Sequence, residues 1–145
     1  MTILLDTNVI LDLLLEREET DAALDVMSLA DEDLAVEIMT ASSVTDVFYM
    51  LTSNKVEKKL DSKVAQGKIS DLLELVDVAP VTKNEITEAL SLAWDDFEDA
   101  VQYVVAKANG VDYIITRDGE GFKSSDIPVL TPREFLQTIK EEEAE

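Results

Sequence analysis

The chain has 145 residues, 46% hydrophobic and 30% charged, the balance of one globular domain with a real core rather than of a disordered chain. With no cysteine and no histidine, it is barred from disulfides, thiolate or imidazole metal sites and histidine-based triads, so any acid–base or metal chemistry rests on carboxylates. Charge is lopsided: 32 acids against 12 bases, formally −20 at pH 7, which by itself argues against a polyanionic partner.

The opening "MTILLDTN" lacks the basic segment and long apolar run of a secretory leader, and no stretch approaches a membrane span, so a cytoplasmic protein without a membrane partner is expected. "TILLD" is a compact apolar run ending at Asp6, and "TNVILDLLLERE" repeats Val9, Ile10, Leu13 and Leu14 at helical spacing. "AALDVMSLADE" reads as a second short helix, "AVEIMTA" as a strand, and "SSVTDVFYMLTSN" as a helix opened by a serine. "KVEKKLDSKVAQGKISDLLELV" continues as helix, broken near Gly67. After the strand "VDVAPV", Thr82 and Glu85 have the form of a capping box opening "NEITEALSLA". "DDFEDAVQYVVAKAN" is the next helix, with Gly110 placed to end it in a left-handed turn and Phe97, Val101, Val104 and Ala108 on its core face. "VDYIIT" and "IPVL" are the last strands, and Thr131-Pro132-Arg133-Glu134 joins an N-cap, a first-turn proline and a capping-box Glu. Strands separated by helices require parallel crossovers, so a three-layer α/β/α fold with a central parallel sheet is expected. No repeat or linker interrupts the chain, which reads as a single domain over 1–140 with an acidic end at 141–145.

Sheets of this kind place their sites beyond the C-terminal ends of the strands. Asp6 ends the first strand, Asp46 lies one turn into the helix after the second, Asp118 follows "YIITR", and Asp99 lies one turn into "DDFEDAVQ". Singly, each is explained by turn or helix-start preference. Four on one edge of a sheet are not. Within "WDDFED", Asp96 shares a face with Asp99 by i, i+3 spacing, whereas Asp95 and Glu98 are assigned to the helix start and solvent, and Trp94 to packing.

"LLDTNVILDLLL" resembles the opening of PIN-domain nucleases, and "DFEDAVQYVVAKANGVDYIITRDGEGF" their second half, in which an Asp begins a helix and a strand, Thr-Arg-Asp and a Phe follow. "IPVLTPREFL" resembles the ending of one bacterial branch, so the similarity spans almost the whole chain. The family includes the toxins of VapC-type toxin–antitoxin pairs, which are metal-dependent ribonucleases and usually dimeric. The resemblance implies a PIN-like, Rossmann-like fold and a catalytic set of Asp6, Asp46, Asp99 and Asp118. It also implies a metal held by Asp6, Asp99, Asp118 and Asp96, with Asn8 and Thr116 orienting the acids. An RNA substrate, an antitoxin partner, a homodimer and products with 5′-phosphate and 3′-hydroxyl ends are implied with it. One departure is Asp46, where many relatives carry Glu; its shorter side chain suits contact with a metal through water.

Oxygen ligands without His or Cys select Mg²⁺ or Mn²⁺, which suits in-line hydrolysis of a phosphodiester by water. No side-chain nucleophile is needed, leaving Ser42 and Thr116 as capping or hydrogen-bonding residues. Two alternatives stay open: an inactive PIN-like binding module, which the net charge and Asp46 favour, and a Mg-dependent phosphohydrolase, for which "DTN" lacks the second Asp. RNA contact is assigned to Lys55, Lys58, Lys59 and Lys63 in the basic stretch 55–68. Lys55, Lys59 and Lys63 recur every four residues and would form one stripe on a continuous helix.

Overall fold

In the computed structural model, which describes residues 1–144, the first strand sets up two cores. β1 (Thr2–Leu5) turns Ile3 and Leu5 to one face of the sheet and Leu4 to the other, all three fully buried. The chain continues through α1 (Thr7–Leu14), α2 (Thr20–Asp31), β2 (Val36–Thr40), α3 (Ala41–Thr52), α4 (Ser62–Leu72), β3 (Val76–Ala79), α5 (Lys83–Leu92) and α6 (Phe97–Ala108). It ends with β4 (Tyr113–Ile115), a 3₁₀ turn (Gly119–Phe122), β5 (Val129–Leu130) and α7 (Pro132–Ala144). Every strand pairing is parallel, in the order β3-β2-β1-β4-β5. Helices α1 to α4 and α7 pack on the Ile3/Leu5 face, and α5 and α6 on the Leu4 face. This is the three-layer architecture expected from the alternation of strands and helices. Strand order reverses between β1 and β4, so the carboxyl ends of those two strands open a crevice.

Local signals mark most boundaries. The Thr82 N–H donates to Glu85 Oε1 at 2.8 Å, completing a capping box, and the pair Thr131/Glu134 does the same before α7. Gly110 takes φ 63° just past α6, a conformation that favours glycine. Of the acidic end, Glu145 lies outside the described residues, and α7 continues through Ala144.

Three expectations are corrected. The cap of α3 is Thr40, whose hydroxyl accepts from the Ser43 N–H at 3.1 Å; strand and helix abut, and no serine opens the helix. The basic stretch is not one helix broken at Gly67: residues 53–61 are irregular, and α4 runs unbroken through Gly67. α4 has an apolar face to bury, placing Ala65, Ile69 and Leu72 on the core, whereas the lysine-rich run before it offers only Val56 and Leu60. On α6, Val101 and Val104 are buried, but Phe97 is 43% exposed and Ala108 is exposed. The middle of the helix, at Ala100, Val101, Val104 and Val105, lies on the sheet, and its end turns reach past it.

Candidate active site

Asp6 leaves the end of β1 and caps α1, its carboxylate buried at 6% exposure. Oδ1 accepts from the Thr7 N–H at 2.7 Å and from Gln102 Nε2 at 2.8 Å; Oδ2 accepts from the Thr116 hydroxyl at 2.7 Å. Burial pushes this carboxyl above its ordinary range, and the three donors offset part of the shift. Asn8 and Thr116 are brought together behind it: Asn8 Nδ2 donates to Thr116 Oγ1 at 3.1 Å, and Asn8 Oδ1 accepts from the Arg117 N–H at 3.0 Å.

The acidic run supplies the opposite wall. Asp96 caps α6, its Oδ1 accepting from the Asp99 N–H at 3.0 Å, which places the two carboxylates side by side. Partial burial, then Asp6, Asp96 and Glu98, push Asp99 up to about 7. Glu98, assigned to the helix start and solvent on sequence grounds, is exposed in the first turn of α6, yet partial burial and the nearby Asp46, Asp6 and Asp96 push its carboxyl up to about 7. Asp46 therefore stands next to the cluster as a charge felt by Glu98. Gly121 of the 3₁₀ turn closes the wall: a Cβ there would run into the Asp99 carboxylate and approach Asp96 Oδ2 to 3.4 Å.

Gln102 was not foreseen. It is fully buried in α6 and donates from Nε2 to Asp6 at 2.8 Å and to Asp99 at 3.4 Å. Its signal in the sequence is a lone polar residue inside "AVQYVVA", one turn after Asp99. Asp118 has no hydrogen bond to another acidic side chain among the described residues. It follows β4 on the same edge, but its Oδ1 accepts from the Glu120 N–H at 3.1 Å and caps the 3₁₀ turn. The loop carrying it is pinned by Arg117, which pairs with buried Asp12 of α1 at 2.7 Å.

The comparisons with known proteins agree with the fold. The profile of the PIN domain family matches residues 2–120. The chain belongs to the PIN domain family. A relative named Ribonuclease VapC1, from Aquifex aeolicus (strain VF5), is 34% identical over 107 residues, covering 70% of this chain and 69% of its own. Two solved structures share the fold at low identity. One is VapC20 of Mycobacterium tuberculosis, described as a Sarcin-Ricin loop cleaving toxin (TM-score 0.66, 17% identity, 84% of this chain and 94% of that one). The other is VapBC-1 of nontypeable Haemophilus influenzae (TM-score 0.68, 15% identity, 92% and 99%).

The donor set of this PIN domain fits a hard divalent ion in kind: oxygen ligands, excess negative charge and no lysine or arginine among the groups that shift Asp6 and Asp99. Among the described residues, no three acids already stand in coordinating geometry. Mg²⁺ keeps several waters and commonly uses one or two carboxylates, so a preformed cage is not required. The lysines of the PIN domain lie elsewhere than on one stripe. Lys55 sits 5.6 Å over the Tyr49 ring, and Lys55 and Lys58 border a cleft of about 410 Å³ with Arg17. Lys59 is in the irregular stretch, and Lys63 is in the first turn of α4. Arg17 lies 3.8 Å from Asp12, which links that cleft to Arg117 at the edge of the site. Among the described residues no helix is long and apolar enough to cross a membrane.

Proposed function

We propose that this PIN domain is a Mg²⁺- or Mn²⁺-dependent ribonuclease of VapC type, the cytoplasmic toxin of a toxin–antitoxin pair. One observation carries the reading: Asp6, Asp96, Asp99 and Glu98 crowd together in the crevice at the strand-order switch, with Gln102 bridging Asp6 and Asp99 and no lysine or arginine among the groups that shift Asp6, Asp99 and Glu98. A divalent cation would stabilise such a cluster. The chemistry a bound ion would supply here is a lowered pKa for a water and neutralisation of charge at the scissile phosphate. Asp6, Asp99, Asp118 and Asp96 are the residues that would hold the ion, and Asp46, beside Glu98, would order water at the rim. Thr116, Asn8 and Gln102 keep Asp6 turned into the crevice. The relative named Ribonuclease VapC1 supports RNA as the substrate, and solved neighbours that include a toxin–antitoxin complex from Klebsiella pneumoniae support an antitoxin partner. We assign the first RNA contact to Lys55, Lys58, Lys59 and Lys63, as a basic arm rather than a helical stripe, and the assembly to a homodimer.

The test is Asp6→Asn, Asp99→Asn and Asp118→Asn, each nearly isosteric. All three should lose Mg²⁺-dependent RNA cleavage, as wild type does in EDTA. Melting temperature without metal should hold or rise, because a charge leaves a repulsive cluster. Wild-type protein that gains stability from Mg²⁺ yet cleaves nothing across a broad RNA panel is a binding module. Collapse of all three variants would make the acids structural caps.

A further inference from the structure

Beside the acid cluster, and sharing a wall with it, lies a cavity of about 490 Å³. Trp94, Asp95, Asp96, Glu120, Gly121 and Lys123 line it. Asp96 belongs to both spaces, and Gly121 stands against Asp99. The chain enters through Ala93, whose left-handed φ of 54° ends α5 and turns Trp94 onto the second core.

Trp94 is braced from behind. Its ring lies 4.8 Å from Tyr103, tilted by 32°, and 6.5 Å from Phe122, edge-on. Tyr103 is anchored in turn, donating from its hydroxyl to Asp126 at 2.7 Å while Lys107 holds the other oxygen of Asp126 at 2.8 Å. The brace packs Trp94 on the second core, as its sequence assignment expected, and the same residue also borders the cavity. A fixed aromatic plane next to a phosphate-cleaving centre suits an unstacked base, because single-stranded RNA is read by splaying bases onto aromatic rings and bonding their edges.

The polar lining is mainly acidic. Asp95 and Glu120 only accept hydrogen bonds when ionised, and Lys123 is drawn toward Glu120 at 3.7 Å. Guanine offers a ring N–H beside an amino group, which a carboxylate accepts together; uracil offers one N–H between two carbonyls. We propose that the cavity is a nucleobase subsite in which Trp94 stacks a guanine flanking the scissile phosphate. The assignment rests on the ribonuclease reading and names one feature of its substrate.

Trp94 is the chain's only tryptophan, so its emission reports this cavity. Full-length protein carrying Asp118→Asn, in Mg²⁺, is titrated with a short guanosine-containing RNA and with the same strand made abasic. The intact strand should quench Trp94 and the abasic strand should not. In the active protein, Trp94→Ala should raise KM for the short RNA roughly ten- to a hundredfold with kcat kept, while Trp94→Phe stays within about threefold of wild type. Equal quenching by both strands, or an unmoved KM, overturns the subsite. If Trp94→Ala does not fold, Asp95→Ala with Glu120→Ala leaves the packing alone and must erase the preference for guanosine over uridine; a preserved preference overturns it as well. Cleavage without base-dependent quenching removes the subsite and keeps the nuclease. Base-dependent quenching without cleavage keeps the base-binding cavity and removes the nuclease.

Discussion

Among the described residues, two buried side-chain oxygens have no hydrogen-bond donor, Oε1 of Gln102 and Oε1 of Glu37, and for different reasons. Gln102 is held with its amide nitrogen toward Asp6 and Asp99; turning the amide over would face a carbonyl toward two carboxylates. The orphaned carbonyl is the cost of keeping a donor in the crevice. Glu37 lies in β2 far from that chemistry, 1% exposed, with only the Ala30 N–H donating to it at 3.1 Å. Burial pushes its carboxyl from 4.5 up to about 8. Between those values the native state keeps a proton that the unfolded chain has released, so the stability this one group contributes is greatest below 4.5 and is lost as pH rises toward 8. Glu37→Gln cannot ionise and keeps the acceptor. Its melting temperature relative to wild type should climb steadily from pH 5 to pH 8, and a difference flat across that range would show that Glu37 is not held protonated.

At the scale of elements, capping chemistry was legible because it is local: Thr82 and Glu85 are three residues apart and need no partner from elsewhere. The stretch 53–61 was not legible. Lysine and glutamate are good helix formers, but propensity is weak beside the burial of an apolar face, and this stretch has only Val56 and Leu60 to offer. Leu60 is instead tied back to α3, its N–H donating to the Leu51 carbonyl at 2.7 Å. Conversely, Gly67 stays helical because Ala65, Ile69 and Leu72 hold α4 on the core. A Cβ at Gly67 would meet nothing within 4 Å. Gly67→Ala should therefore stabilise the protein by about 0.5–1 kcal/mol, read as a higher denaturation midpoint at unchanged slope. A loss of stability would mean that the glycine serves a bend in α4.

For the whole molecule the question raised by the proposed function is how a chain of charge −20 would hold RNA at all. If the basic arm makes the contact, Lys55→Glu with Lys59→Glu should weaken RNA binding far more than Lys83→Glu with Lys140→Glu, an exposed pair that alters net charge equally. The salt dependence should flatten by roughly 0.7 in slope per lost phosphate contact on a single strand. Equal losses from both pairs would mean that only total charge matters.

By itself the sequence determined the alternation of strands and helices, hence parallel pairing, and the arrival of Asp6 and Asp118 at strand ends, because a strand end is a local event and crossovers are obligatory between parallel neighbours. It also determined the pairing of Asp96 with Asp99, since one helical turn separates them. Only the tertiary structure decided that Glu98 comes near Asp46, that the brace behind Trp94 forms, and that Gln102 spans 96 residues of chain to reach Asp6. Those contacts depend on which face of α6 meets the sheet. That choice is made by close packing of Ala100, Val104 and Val105 against Leu4 and Ile114, segments distant in sequence whose fit no local pattern encodes.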